Sequence, residues 1–193
     1  REPDKPKHVN CYAESEDGIH WIKPNLGIYD WNGPDNNLFA AGESHNASVI
    51  RVRNPESEDK AWALYSYGGE AGPHVAYSSD GLHWRWHEKP EYQKLFSSSD
   101  VVNFSWDPFK NRYICTWKSG NRKHRAVGTA VSEDGVKWNK LCELPVFVAD
   151  DLDPEPTQIY GMPVFPYQGI YIGLPWMYHA RVHKYGEYSA KRM

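Results

Sequence analysis

Ser78-Ser79-Asp80-Gly81-Leu82-His83-Trp84 is a seven-residue run of a kind that the chain carries three times. Ser15-Glu16-Asp17-Gly18-Ile19-His20-Trp21 precedes it and Ser132-Glu133-Asp134-Gly135-Val136-Lys137-Trp138 follows it. The shared pattern is S-x-D-G-x-x-W. Asp-Gly between two β-prone runs predicts a two-residue hairpin turn, because such a turn needs φ > 0, which Gly takes at little cost and Asp tolerates. The Ser before the turn and the Trp after it are then expected on paired strands, with each Trp substantially buried. Three copies mark a repeated β unit.

The copies begin 63 and 54 residues apart. A propeller blade of four short strands with their loops takes roughly 40–50 residues, so some loops must be extended. Residues 9–15 and 19–23 read as the last two strands of one blade, and residues 24–44, rich in Pro, Gly and Asn, as a long connecting loop. Residues 46–52, 61–67, 74–78 and 82–86 supply four strands. Residues 101–106, 113–118, 126–132 and 136–141 supply four more in the same order. Residues 159–167 and 170–174, joined by Gln168-Gly169, make a final half unit. No segment has a convincing 3.6-residue period. The expected fold is all-β, a β-propeller of four-stranded antiparallel blades, about three of them in residues 1–193. Propellers close with four to eight blades. Residues 1–193 are therefore expected to be a partial propeller domain, a fragment of a longer catalytic domain. The missing blades would come from the rest of the polypeptide or from another chain.

Composition narrows the function classes. Nine Trp and thirteen Tyr suit pleated sheets, and exposed aromatic rings also suit the C–H faces of sugars. A net charge of −3 offers no electrostatic case for nucleic acid. No run of 18 apolar residues is present, so no membrane-spanning helix is expected. The polar opening, Arg1 to Lys7, reads as an internal or processed start rather than a secretory leader. Cys11, Cys115 and Cys142 are odd in number and lack metal-site spacing; Cys11 and Cys115 are expected as small core residues. Asn46-Ala47-Ser48 and Asn103-Phe104-Ser105 match the glycan-acceptor pattern but fall in expected strands.

Antiparallel strands, numbered 1 to 4 outward from the axis, put the 1–2 and 3–4 turns on one face. The 2–3 loops and the blade-to-blade connections share the other. The second set is longer and less regular, and loops on rigid scaffolds carry function. Residues just before each strand 1 lie nearest the axis: Glu43, Ser44 and His45, then Ser97 to Asp100, then Asp150, Asp151, Asp153, Glu155 and Gln158. The 2–3 loops add Glu70 and His74, then Arg122, Lys123 and His124. Carboxylates from different blades can thus converge on an axial funnel. Glycoside hydrolysis needs such a pair, one to protonate the leaving oxygen and one to activate water or attack carbon. Crowding of like charges raises one pKa and supplies the acid. The blander readings are that the 150–153 acidic loop is merely solvated, that Asp100 caps a turn, and that His20 and His83 are structural. His45 and His74 lack metal-ligand spacing.

The three hairpins, the strand Val102-Asn103-Phe104-Ser105-Trp106-Asp107-Pro108 with Tyr113, and Ile159-Tyr160-Gly161-Met162-Pro163-Val164 with Tyr167 and Tyr171 resemble the five-bladed β-propeller glycoside hydrolases related to families 32, 43 and 117. In these families acidic residues at the inner ends of successive blades serve as base, pKa modulator and acid. By position Asp100 and Glu155 would inherit two of these roles. The first full unit departs from the pattern, since His45-Asn46 stands where an acidic residue would. The resemblance implies a secreted, extracellular or periplasmic enzyme of polysaccharide degradation.

The expected function is therefore an exo-acting glycoside hydrolase on the end of a plant or algal oligosaccharide or polysaccharide. Asp100 and Glu155 are the expected catalytic carboxylates. His45, His74, Asp153, Tyr160 and Arg122 are the expected substrate contacts. No cofactor and no metal ligand is assigned, and a structural or site divalent ion is left open. The alternatives are a non-catalytic carbohydrate-binding propeller and a polysaccharide lyase with His45 or Tyr160 as base.

Overall fold

The structure, a computed structural model, describes residues 8–42, 45–68, 72–86, 93–120, 125–154 and 156–179. It is all-β, with one short 3-10 turn at Glu58–Lys60. Two complete four-stranded antiparallel blades lie at its centre. The first contains β3 (His45–Arg51), β4 (Trp62–Gly68), β5 (Gly72–Ser78) and β6 (Arg85–Trp86). The second contains β7 (Val102–Asp107), β8 (Arg112–Ser119), β9 (Ala126–Ser132) and β10 (Asn139–Lys140). On one side stand β1 (His8–Cys11) and β2 (Leu38–Gly42), which pair with each other. On the other, β11 (Thr157–Gly161) pairs with β14 (Trp176–His179), and β12 (Val164–Tyr167) with β13 (Ile170–Gly173). This is the expected propeller architecture. Among the described residues no helix is long and apolar enough to cross a membrane.

The repeated motif is a seven-residue loop rather than a two-residue turn. The flanking residues are the ones that pair: Glu14 with Ile22, Tyr77 with Arg85, and Val131 with Asn139. Only the Gly of each Asp-Gly has positive φ, at 75°, 81° and 78°. The Asp side chain explains why. Its Oδ1 accepts the backbone N–H groups two and three residues on, at 2.7–2.8 Å in all three copies. The Ser hydroxyl donates to the same carboxylate and accepts the Gly N–H at 2.8–2.9 Å. In the first two copies a His at the sixth position also reaches Asp Oδ2, at 2.6 and 2.7 Å. His20 and His83 are therefore parts of the loop. The two-residue turn with both φ positive occurs instead at Gln168-Gly169 (45° and 87°).

The outer strand of each unit is split. After β6, the chain returns at Leu95, whose N–H donates to Pro73 at the start of β5. After β10 it returns at Val146 and Phe147, which bond Val127 of β9. In the first unit the return is β2, so Leu38–Gly42, expected as part of a long loop, is a strand. A single motif sets the blade, and the excursion in its fourth strand absorbs the extra length.

The core lies between the two complete blades. Tyr65 of β4 stacks on Phe104 of β7, with ring centroids 4.5 Å apart. Ile50, Val75, Val102, Cys115 and Ala130 fill in around them. Trp138 meets Tyr65 and Phe104 edge-on, at 5.9 and 5.1 Å, and so bridges to the preceding blade. Trp84 likewise reaches Phe39 of the unit before it, the two rings tilted at 51° with centroids 6.3 Å apart. Trp21 does not: it is 62% exposed, against the expectation of burial. Cys11 is exposed as well, since among the described residues β1 pairs with β2 alone, whereas Cys115 is buried as expected.

Candidate functional site

Adjacent inner strands are tied to one another by polar side chains. Asn46, at φ 57°, donates from Nδ2 to the Val102 carbonyl at 2.6 Å. An Asn tolerates this left-handed conformation better than most residues. Ser48 Oγ accepts the Phe104 N–H, and Ser105 Oγ donates to the Val164 carbonyl. These links set β3 beside β7 and β7 beside β12, while β11 lies against β8 and β9 of the second blade.

Asp100 stands just before β7. Ser99 Oγ donates to the Lys118 carbonyl and the Lys118 N–H donates to the Val101 carbonyl, which fixes the backbone on either side of Asp100. Lys118, near the end of β8, reaches back and places Nζ 2.5 Å from Asp100 Oδ1. The Lys side chain is 12% exposed and the Asp side chain 46% exposed. Lys118 Nζ also lies 4.3 Å from the centroid of the Tyr160 ring on β11. Arg125 sits over the same ring, at 5.6 Å, and over Tyr178, at 4.9 Å. The buried Gln158 accepts both the Arg125 backbone N–H and its guanidinium. The His45 ring lies 4.8 Å from that of His8.

Burial of Asp100 favours its neutral form. The hydrogen bond and charge of Lys118, its own backbone N–H, and the charge of His45 outweigh that, and the carboxyl lies below its ordinary 3.8. Asp100 is thus an anion at neutral pH. It can accept a proton, attack carbon or bind hydroxyls; it does not hold a proton to donate.

Three of the sequence-predicted residues are brought together: Asp100, His45 and Tyr160. His74 is not with them. It lies on β5, bonded to Ser66 Oγ at 2.8 Å and edge-on to Trp86 of the outermost strand, with centroids 4.2 Å apart. Asp153 closes a local turn, its Oδ2 accepting the Asp150 N–H at 2.9 Å. Glu155 and Arg122 lie outside the described residues. Lys118, Arg125 and Tyr178 were not singled out by sequence. Each is one polar or aromatic residue in an alternating strand or at its edge, and only the paired strand reveals what it faces. Among the described residues no three His, Cys, Asp or Glu side chains converge as a metal-ion site.

No protein-family model matches the chain. Two proteins of Mycobacterium tuberculosis, from strains CDC 1551 and H37Rv and each named an uncharacterized protein, are 31% identical over 115 residues. The match takes in 59% of this chain and 33% of theirs, so the chain spans about a third of the length of the curated relatives it matches. Among solved structures, an N-acetylgalactosamine deacetylase from F. plautii, in complex with blood group B trisaccharide, aligns with a TM-score of 0.51 at 16% identity. It covers 80% of this chain and 46% of its own. A GH32 β-fructofuranosidase of Bombyx mori aligns at TM-score 0.47 and 15% identity, over 80% of this chain and 39% of its own. The first of these likenesses is one of fold.

Proposed function

We propose that the protein is a carbohydrate-active enzyme, an exo-acting glycoside hydrolase that takes the end of an oligosaccharide or polysaccharide into the axial funnel. The observation that carries this reading is the convergence of Asp100, Lys118, His45 and Tyr160 at the inner ends of three successive units. Asp100, held as an anion, activates water or attacks the anomeric carbon. Glu155, in the connection before β11, is the proposed proton donor. Tyr160 and His45 contact the terminal sugar. The fold neighbour is a protein named for acting on an amino sugar, which supports carbohydrate as the ligand class.

One observation favours a second reading, a non-catalytic sugar-binding propeller. Asp100 is already engaged by a nearly buried Lys118, and a tightly neutralised carboxylate is a weaker base.

Release of reducing sugar from a panel of neutral, acidic and amino-sugar oligosaccharides separates the two readings. The enzyme reading expects turnover that Asp100→Asn lowers by at least about a hundredfold, the scale of losing one acid–base group, with the circular dichroism spectrum unchanged. Sugar affinity without turnover in the unaltered protein establishes the binding module. Undiminished turnover in Asp100→Asn removes Asp100 from the mechanism.

A further inference from the structure

A cleft of about 460 Å³ opens between the two complete blades on the face opposite Asp100. The 1–2 turns at Asn54 and Asn111 and the Asp134 loop place it there. Tyr65 and Tyr113, both buried, form its floor, and the half-buried rings of Tyr77 and Trp106 stand on its two blades. The volume lies within the range of small-ligand sites, roughly 300–1,000 Å³.

Its charge identifies the ligand class. Arg53, Lys60 and Lys137 are matched by Glu56, Glu133 and Asp134. Lys60 is spent on Glu56 at 2.7 Å and lies over the Tyr77 ring at 5.3 Å, and the Asp134 carboxylate is spent on its own loop. Such a lining selects neither an anion nor a cation. The half-buried rings of Tyr77 and Trp106 offer apolar surface, and the Asn54 and Asn111 side-chain amides each carry a donor and an acceptor, as hydroxyls require. A neutral, polyhydroxylated ring with an apolar C–H face meets all of these conditions.

We propose that this inter-blade cleft is a second carbohydrate-binding site, specific for neutral sugars and separate from the axial funnel. It holds a glycan on the rear face while the funnel takes a chain end. The site stands on its own lining and does not depend on Asp100 being catalytic.

The test is an NMR titration of the protein with lactose, maltose and cellobiose, with glucuronic acid and glucosamine as charged controls. The Trp106 indole and Asn111 amide signals are expected to shift with a neutral disaccharide, and to do so equally in Asp100→Asn. Trp106→Ala is expected to weaken that binding by about tenfold or more, the equivalent of about 1.4 kcal/mol. Asn111→Asp, at an exposed turn, tests the same site without touching the core, and its added charge is expected to weaken binding comparably. Absence of any shift at Trp106 and Asn111 overturns the proposal, as does tighter binding of either charged sugar. Loss of the shifts in Asp100→Asn assigns the binding to the axial funnel and likewise overturns it.

Discussion

Lys118 on β8 and Asp100, just before β7, approach to 2.5 Å within one blade, and the lysine is the more deeply buried partner. The ion pair therefore costs desolvation chiefly on the lysine side, and the half-exposed aspartate is held as an oriented anion. Removing Lys118 leaves burial as the largest influence on Asp100. In Lys118→Met the Asp100 carboxyl is expected to titrate above 3.8, where the unaltered protein titrates below it. Carboxyl ¹³C NMR across the acid range reads this directly. An unmoved Asp100 titration contradicts the pairing.

Stability should fall in acid, with a definite sign. Asp17, Asp80 and Asp134 are all held below 3.8. The His20 side chain is the leading cause for Asp17. Burial opposes ionisation of Asp80 and Asp134, but is outweighed by N–H donors, those of His83 and Lys137 foremost. A carboxyl depressed in the folded state contributes stability that is present above its unfolded pKa and lost as pH falls through its folded one. Urea midpoints are expected to hold steady down to about pH 5 and then to drop below about pH 4. Replacing all three aspartates by Asn should lower the neutral-pH midpoint and flatten that drop.

Gly18 and Gly135 share a backbone conformation but not surroundings. At Gly18, φ +75°, an added Cβ meets nothing within 4 Å; at Gly135, φ +78°, it meets the Tyr65 hydroxyl at 2.3 Å. Gly18→Ala should cost only the left-handed backbone term, about 1 kcal/mol. Gly135→Ala adds a collision with a buried ring, for a total on the order of 3 kcal/mol. Equal urea midpoints for the two variants would refute the packing of the third motif against Tyr65.

Asp107 is fully buried where β7 turns into β8. It accepts from the Tyr171 hydroxyl at 2.9 Å and lies 3.4 Å from Arg112 Nε. Asp107→Ala strands that arginine and unties the last hairpin from the second blade. The expected loss is on the order of 3 kcal/mol, with Tyr171 exposed more fully to iodide or hydrogen-exchange probes. A variant as stable as the parent contradicts the link.

The motif tryptophans should not be equivalent. Trp138→Ala empties a site among Tyr65, Phe96 and Phe104 and is expected to cost about 3 kcal/mol. Trp21→Ala, at an exposed position, is expected to cost under about 0.5 kcal/mol. Acrylamide should quench Trp21 far more readily than Trp138, and equal quenching would contradict the difference.

The strand order was legible because the motif recurs and because apolar residues alternate on either side of it. Its turn geometry was not. Asp-Gly alone matches a two-residue turn, and only the Ser two residues before the Asp and the free N–H groups after it make the wider loop more favourable. Asp100 and His45 could be placed on one end of the axis by topology, because each stands at the start of an inner strand. Lys118 could not, since a lysine ending an alternating strand is ordinarily solvated. The exposure of Trp21 is not legible in its motif, which shares S-x-D-G-x-x-W with the others, because the rings that Trp84 and Trp138 pack against belong to the preceding unit.

The way the seven-residue loop closes bears on how the chain acquires its shape. Ser, Asp and Gly satisfy one another within the loop, and β3 to β6 and β7 to β10 are each consecutive in sequence. Every pairing inside a complete blade therefore joins near neighbours along the chain, so little loop-closure entropy is spent before contacts form. Each four-stranded sheet can assemble early and by itself, and the Tyr65–Phe104 stack, which joins distant residues, forms only when two finished sheets meet. Substitutions in the loops should then act mainly on the rate of folding, and substitutions at Tyr65 or Phe104 mainly on the rate of unfolding.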